Sequence, residues 1–85
     1  MRSFSYTVRD PLGIHARPAG LLVKLARSLD SRIEIVKEER RVGATHLLAL
    51  MGLGIVCGDT VTVTVDGGDE VSSEQAVKSF FEKNL

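Results

Sequence analysis

Eighty-five residues, 44% of them hydrophobic, supply one small core, so residues 1–85 form a single domain; a chain of this size buries only about 60–65% of its unfolded surface. Eleven basic residues balance eleven acidic ones, and a net charge of zero argues against nucleic acid as the main partner. No apolar run approaches the ~18 residues of a bilayer span, and Met1 to Ser5 lack the apolar core of a signal peptide. The single cysteine, Cys57, excludes an internal disulfide and a thiolate-rich metal site, which together predicts a cytoplasmic protein with no membrane insertion.

Ser3 to Val8 alternates, with Phe4, Tyr6 and Val8 on one side and Ser3, Ser5 and Thr7 on the other. That pattern predicts a half-buried strand with one wet face. Asp10-Pro11-Leu12-Gly13 follows as a loop. From Ala16 the period becomes helical, and Ala19, Leu22, Val23, Ala26 and Leu29 form one stripe. Gly20 and Leu21 fall outside it. Gly20 weakens the helix by about 1 kcal/mol against alanine, which either a tolerated surface position or the close approach of another molecule would explain. Asp30-Ser31 ends the helix. Ile33 and Ile35 then mark a second strand, Glu38-Glu39-Arg40 a charged turn, and Arg41 to Gly43 a short third strand, so that the two strands form a hairpin.

Thr45 or His46 is expected to cap a short helix over Leu47 to Met51. This segment is apolar nearly all round, and so short a helix cannot bury every side chain. Leu50 and Leu53 are expected in the core, and Leu47 and Leu48 outside it. Gly58-Asp59 makes a turn. In Thr60 to Val65, Val61, Val63 and Val65 point one way and the three threonines the other, which predicts a central strand with a threonine-lined face open to water. Asp66-Gly67-Gly68-Asp69 is a turn, and Ala76, Val77, Phe80 and Phe81 mark a last helix starting near Ser72, where Ser72 to Gln75 fits a capping box. The order is β-α-β-β-α-β-α, with one apolar face per strand and one apolar stripe per helix. Helices on one face of an antiparallel sheet satisfy that pattern, giving a two-layer α+β domain.

The stretch Gly13-Ile14-His15-Ala16-Arg17-Pro18-Ala19 carries the chemistry. A helix start offers unpaired N–H groups and the positive end of the helix dipole, so Ala16, Arg17 and Pro18 make a candidate phosphate site. Arg17 adds a permanently charged fork that matches phosphate oxygens. Pro18 suits the first turn, where a missing N–H costs little. His15 brings a nucleophilic ring nitrogen, although a lone histidine at a helix start is more often a capping or surface residue. His15 and His46, with no carboxylate or thiolate cluster beside them, make a poor metal site.

This motif closely resembles the active-site signature of the histidine-containing phosphocarrier (HPr) family of the bacterial phosphoenolpyruvate:sugar phosphotransferase system. Leu22-Val23, the Ala44 segment, Leu50-Met51-Gly52-Leu53-Gly54, Gly58-Asp59-Thr60-Val61 and Gly67-Gly68-Asp69-Glu70 resemble the family pattern in the same order, over nearly the whole chain. The resemblance implies an open-faced β-sandwich, with a four-stranded antiparallel sheet ordered 1-4-2-3 and three helices on one face. It implies that His15 accepts a phosphoryl group on Nδ1 from Enzyme I and passes it to the A domains of sugar-specific Enzymes II, with Arg17 supporting the group. The protein would be a carrier rather than a free-standing catalyst, a monomer without metal or cofactor. Gly20, Leu21, Lys24, Leu47 and Leu48 would form the partner-binding surface. The alternative is a paralogue of the same fold serving a nitrogen-related or regulatory chain. Two places depart from the pattern. His46 stands where many relatives carry a serine that a dedicated kinase phosphorylates, with Thr45 in place of the preceding lysine, and Val71-Ser72-Ser73 reads as an extra turn ahead of the last helix.

Overall fold

In a computed structural model that describes residues 1–85, the elements are β1 (Arg2–Thr7), α1 (Ala16–Ser28), β2 (Arg32–Lys37), β3 (Arg40–Gly43), α2 (Leu47–Gly52), β4 (Thr60–Asp66) and α3 (Glu70–Asn84). The strands form one antiparallel sheet in the order β1-β4-β2-β3. β4, last in sequence, therefore lies between β1 and β2, and the connection through α1 becomes a split β-α-β unit. The connection through α2 repeats that arrangement around β2.

The alternation in β1 and β4 sends Phe4, Tyr6, Val61, Val63 and Val65 toward the helices. There they meet Leu22 and Ala26 of α1, Leu50 of α2, and Val77 and Phe81 of α3. Phe81 is fully buried and makes edge contacts with Tyr6, Phe4 and Phe80, at centroid distances of 5.3, 6.1 and 6.3 Å. Burying a side chain of this kind contributes about 1.5–3 kcal/mol, and the ring geometry adds about 0.5–1.5 kcal/mol per pair. The opposite face carries Ser3, Ser5, Thr7 and Thr60 in the open, as alternation requires.

Three local features differ from the sequence-based expectation. Thr64 is buried rather than open to water. It sits in the centre of the sheet between Ser3 and Glu34, and Glu34 is held beside it by Arg41 at 2.8 Å. The last helix begins at Glu70, not near Ser72, because Asp69 is the cap and its Oδ1 accepts the Ser72 N–H. Val71, Ser72 and Ser73 consequently belong to the first turns of α3 instead of preceding it. Ser73 is buried, with its hydroxyl 2.8 Å from that of Ser31, which itself donates to the Gly67 carbonyl. The β2–β3 turn is shorter than expected, since Arg40 already pairs with Lys37. Glu38 takes φ 56°, a left-handed conformation that a two-residue hairpin loop demands and that glycine adopts at lower cost.

Candidate functional site

α1 starts abruptly because Gly13 and His15 bend the chain in two steps. Gly13 has φ +67° and lies against the backbone of Ile55 and Val56, too close to admit a side chain. Ile14 is buried, and its N–H donates to the Ile55 carbonyl at 3.1 Å. His15 is the N-cap, extended at φ −114° and ψ −176°, and its carbonyl accepts the Ala19 N–H at 3.0 Å. Its imidazole makes no capping hydrogen bond. The residue is half-buried rather than fully exposed.

Around that ring the helix end is left unsatisfied. Ala16 and Arg17 occupy positions whose N–H groups have no partner within a helix, and Pro18 has none to satisfy. No acidic residue stands in the first turn. Arg17 is exposed and forms no ion pair with a carboxylate. Pro18 is buried, which anchors the turn beneath the open groups. His15, Arg17, Pro18 and Leu21 line a recess of about 220 Å³, together with Asp10 and Asn84. His15 and Arg17 thus border one open recess at a helix start with unpaired N–H groups, a combination suited to an anion exchanged with solvent-borne partners.

Asp10 and Asn84 had no signal in the sequence. Asp10 reads as loop punctuation, and its Oδ1 accepts the Leu12 N–H at 2.8 Å. Asn84 ends α3 and donates from its side chain to the Phe80 carbonyl at 3.0 Å. The Leu85 carbonyl accepts both the Arg9 and the Asp10 N–H, at 2.6 and 2.8 Å, which brings the far end of the chain to the recess.

The remaining predicted residues lie on α1 and α2, which pack against each other. Leu21 is 44% exposed, Leu47 39% and Leu48 85%, while Leu50 and Leu53 are buried, so α2 turns the expected side chains outward. Lys24 is exposed and Gly20 half-buried. A Cβ on Gly20 would meet nothing within 4 Å, so no packing inside the molecule explains this glycine. Sequence reasoning did not single out Leu12 and Val56, exposed apolar residues on the two loops that meet beneath His15. His46 caps α2 without a side-chain bond, and its ring lies over Gly43, where a Cβ would come 2.9 Å from Cδ2.

Comparison with known proteins agrees with this geometry. The family described as "PTS HPr component phosphorylation site" matches residues 2–83. The chain is 38% identical to the phosphocarrier protein HPr of Mycoplasma genitalium, covering 99% of this chain and 97% of that one. It is 42% identical to the HPr of Lysinibacillus sphaericus, over 91% of this chain and 88% of the relative. A solved mycoplasma histidine-containing phosphocarrier protein superposes with a TM-score of 0.92 at 32% identity, covering 96% of this chain and 93% of its own. The sheet order 1-4-2-3, the open helix start at His15 and these matches along nearly the whole chain place this protein in the HPr family of phosphocarrier proteins of the phosphotransferase system.

Proposed function

We propose that His15 is the phosphoacceptor of this phosphocarrier, taking the group from Enzyme I and passing it to Enzyme II A domains. The observation that supports this reading is the imidazole left uncommitted at an acid-free helix start. In each transfer a P–N bond to the donor histidine breaks as a P–N bond to the Nδ1 of His15 forms, and the reverse exchange delivers the group onward. Little covalent chemistry is asked of the protein, which supplies position and charge balance. Arg17 balances charge, contributing about 1.5–3 kcal/mol per hydrogen bond to the phosphoryl oxygens, and the helix end contributes about 0.3–1 kcal/mol. Tight clamping would defeat a carrier, since the next histidine must remove the group. The exposure of Arg17 suits that need.

Gly20, Leu21, Lys24, Leu47 and Leu48 form the partner surface in this reading. Two different partners must reach the same histidine, which favours an apolar patch with a basic rim over a deep cleft. A glycine with open space above it lets a partner's backbone approach α1 closely. The chain acts as a monomer.

The test is incubation with phosphoenolpyruvate and Enzyme I, followed by mass spectrometry and peptide mapping of the wild type and His15→Ala. The expected result is one acid-labile, alkali-stable phosphate on His15, absent from a folded His15→Ala protein. Acid-labile phosphate persisting on His15→Ala would refute the assignment and direct attention to His46.

A further inference from the structure

The loop that carries His15 is seated on another loop, not on the sheet. A Cβ on Gly13 would collide with the Ile55 carbonyl oxygen and lie 2.7 Å from Val56 Cα, and Ile14 donates to that same Ile55 carbonyl. The direction in which the chain enters His15 is therefore set by where Ile55 and Val56 sit. Those two residues belong to the irregular stretch between α2 and β4.

Charge holds that stretch in place. Lys37, the last residue of β2, donates from Nζ to the Gly54 carbonyl at 3.0 Å and lies 2.9 Å from Asp59 Oδ2. The same Asp59 oxygen accepts the Val56 N–H at 2.9 Å, and the Asp59 N–H donates back to the Val56 carbonyl at 3.0 Å. One ammonium thus closes both ends of the Gly54–Asp59 loop, with Ile55 and Val56 inside the closure. Both side chains are largely shielded, at 20% exposure for Lys37 and 29% for Asp59. The Val56 N–H and the Lys37 ammonium hold the Asp59 carboxyl below the ordinary aspartate range. Asp59 therefore stays ionised at neutral pH.

The geometry points to Lys37 and Asp59 as positioning residues for phosphotransfer: they lock the Ile55–Val56 seat and so fix the angle at which His15 is presented. This inference rests on the reading of His15 as the acceptor. Supporting residues that lock a reacting group's rotamer and backbone matter because a small misplacement costs rate without touching docking. Arg40 provides the contrast. It donates to the Gly52 carbonyl at 2.8 Å, outside the Gly54–Asp59 closure.

The experiment compares Lys37→Met, Lys37→Arg and Arg40→Met in the full chain. It measures Ile14 amide exchange, the 15N shifts of the His15 ring, and kcat and KM for phosphorylation by Enzyme I. In Lys37→Met, Ile14 exchange should quicken by about tenfold or more, the ring shifts should move, and kcat should fall by about tenfold. KM should stay within about twofold, because the partner surface is unaltered. Lys37→Arg should restore most of the loss, and Arg40→Met should change none of these readouts. Wild-type Ile14 exchange and kcat in Lys37→Met would overturn the inference. So would a uniform quickening that includes the core amide of Val63, or an equal effect from Arg40→Met. Should Lys37→Met fail to fold, Asp59→Asn removes the ion pair while keeping the side chain's shape, and the same readouts decide. If the wild type takes up no phosphate on His15, the acceptor assignment fails, while Ile14 exchange still decides whether the pair fixes the loop.

Discussion

At the start of α3, Asp69 Oδ1 accepts the Ser72 N–H at 3.2 Å, and Glu70 reaches back to accept the Gly67 N–H at 2.7 Å while facing the Met1 ammonium at 3.2 Å. At the start of α1, the cap is His15, its side chain bonds to nothing in the helix, and the first turn has no acid. Both ends present the same positive dipole and orphan donors, although Pro18 removes one of them from α1. α3 neutralises them with its own carboxylates, as a helix built for stability does. α1 leaves them open, forgoing about 1 kcal/mol of capping energy, and spends the position on an imidazole beside an unpaired arginine. Under the proposed function, the difference separates a structural helix start from one that receives an anion from outside.

Removing the charge that makes α1 receptive should have the largest effect. Arg17→Ala should slow phosphoryl transfer by one to about three orders of magnitude, corresponding to about 1.5–4 kcal/mol of lost stabilisation, with the thermal midpoint nearly unchanged. Rapid-quench measurement in both directions checks this; unaltered rates would remove Arg17 from the mechanism. The mirror experiment is Asp69→Ala on α3, which should cost about 1 kcal/mol in denaturant unfolding and leave transfer untouched.

A third substitution makes α1 resemble α3. Ala16→Glu places a carboxylate in the acid-free first turn, and should raise stability by about 0.3–1 kcal/mol while slowing phosphorylation, because the new charge competes with the phosphoryl group for the same helix end. A variant that gained stability and kept its wild-type transfer rate would show that the open helix end is not needed for chemistry.

The smallest effect is expected from acid. The Gly67 N–H first, then the N-terminal ammonium, holds the Glu70 carboxyl below its ordinary value. A folded-state value below the unfolded one means that the folded protein binds this proton less readily. The stabilisation is therefore present above the ordinary glutamate range and lost as pH falls through the folded value. A Glu70→Gln protein should show a shallower decline of thermal stability over that acid range than the wild type, and identical slopes would count against the contact.

The strands and the stripe of α1 were legible because periodicity is local: alternation in β1 and β4, and the Ala19–Leu22–Val23–Ala26 spacing, each specify which face must leave water. The outward turn of Leu47 and Leu48 was legible for the same reason, since a helix of that length has too little buried face for all its leucines. The start of α3 was misplaced because Ser72 and Asp69 are both good caps in sequence. Asp69 wins in the folded chain, where its backbone N–H is also held by Asp30 at 3.2 Å, a contact across the molecule.

The sequence by itself determined the element order, the nomination of His15 and Arg17 as the candidate pair, and the family to which the chain is similar, because periodicity and motifs are each read from contiguous stretches. Only the tertiary structure decided that Thr64 is covered, that Asp10 and Asn84 border the His15 recess, and that Lys37 braces the loop on which Gly13 rests. Those contacts join residues far apart in the chain, whose meeting depends on β4 inserting between β1 and β2. No local propensity encodes that insertion, which follows from burying every apolar face at once.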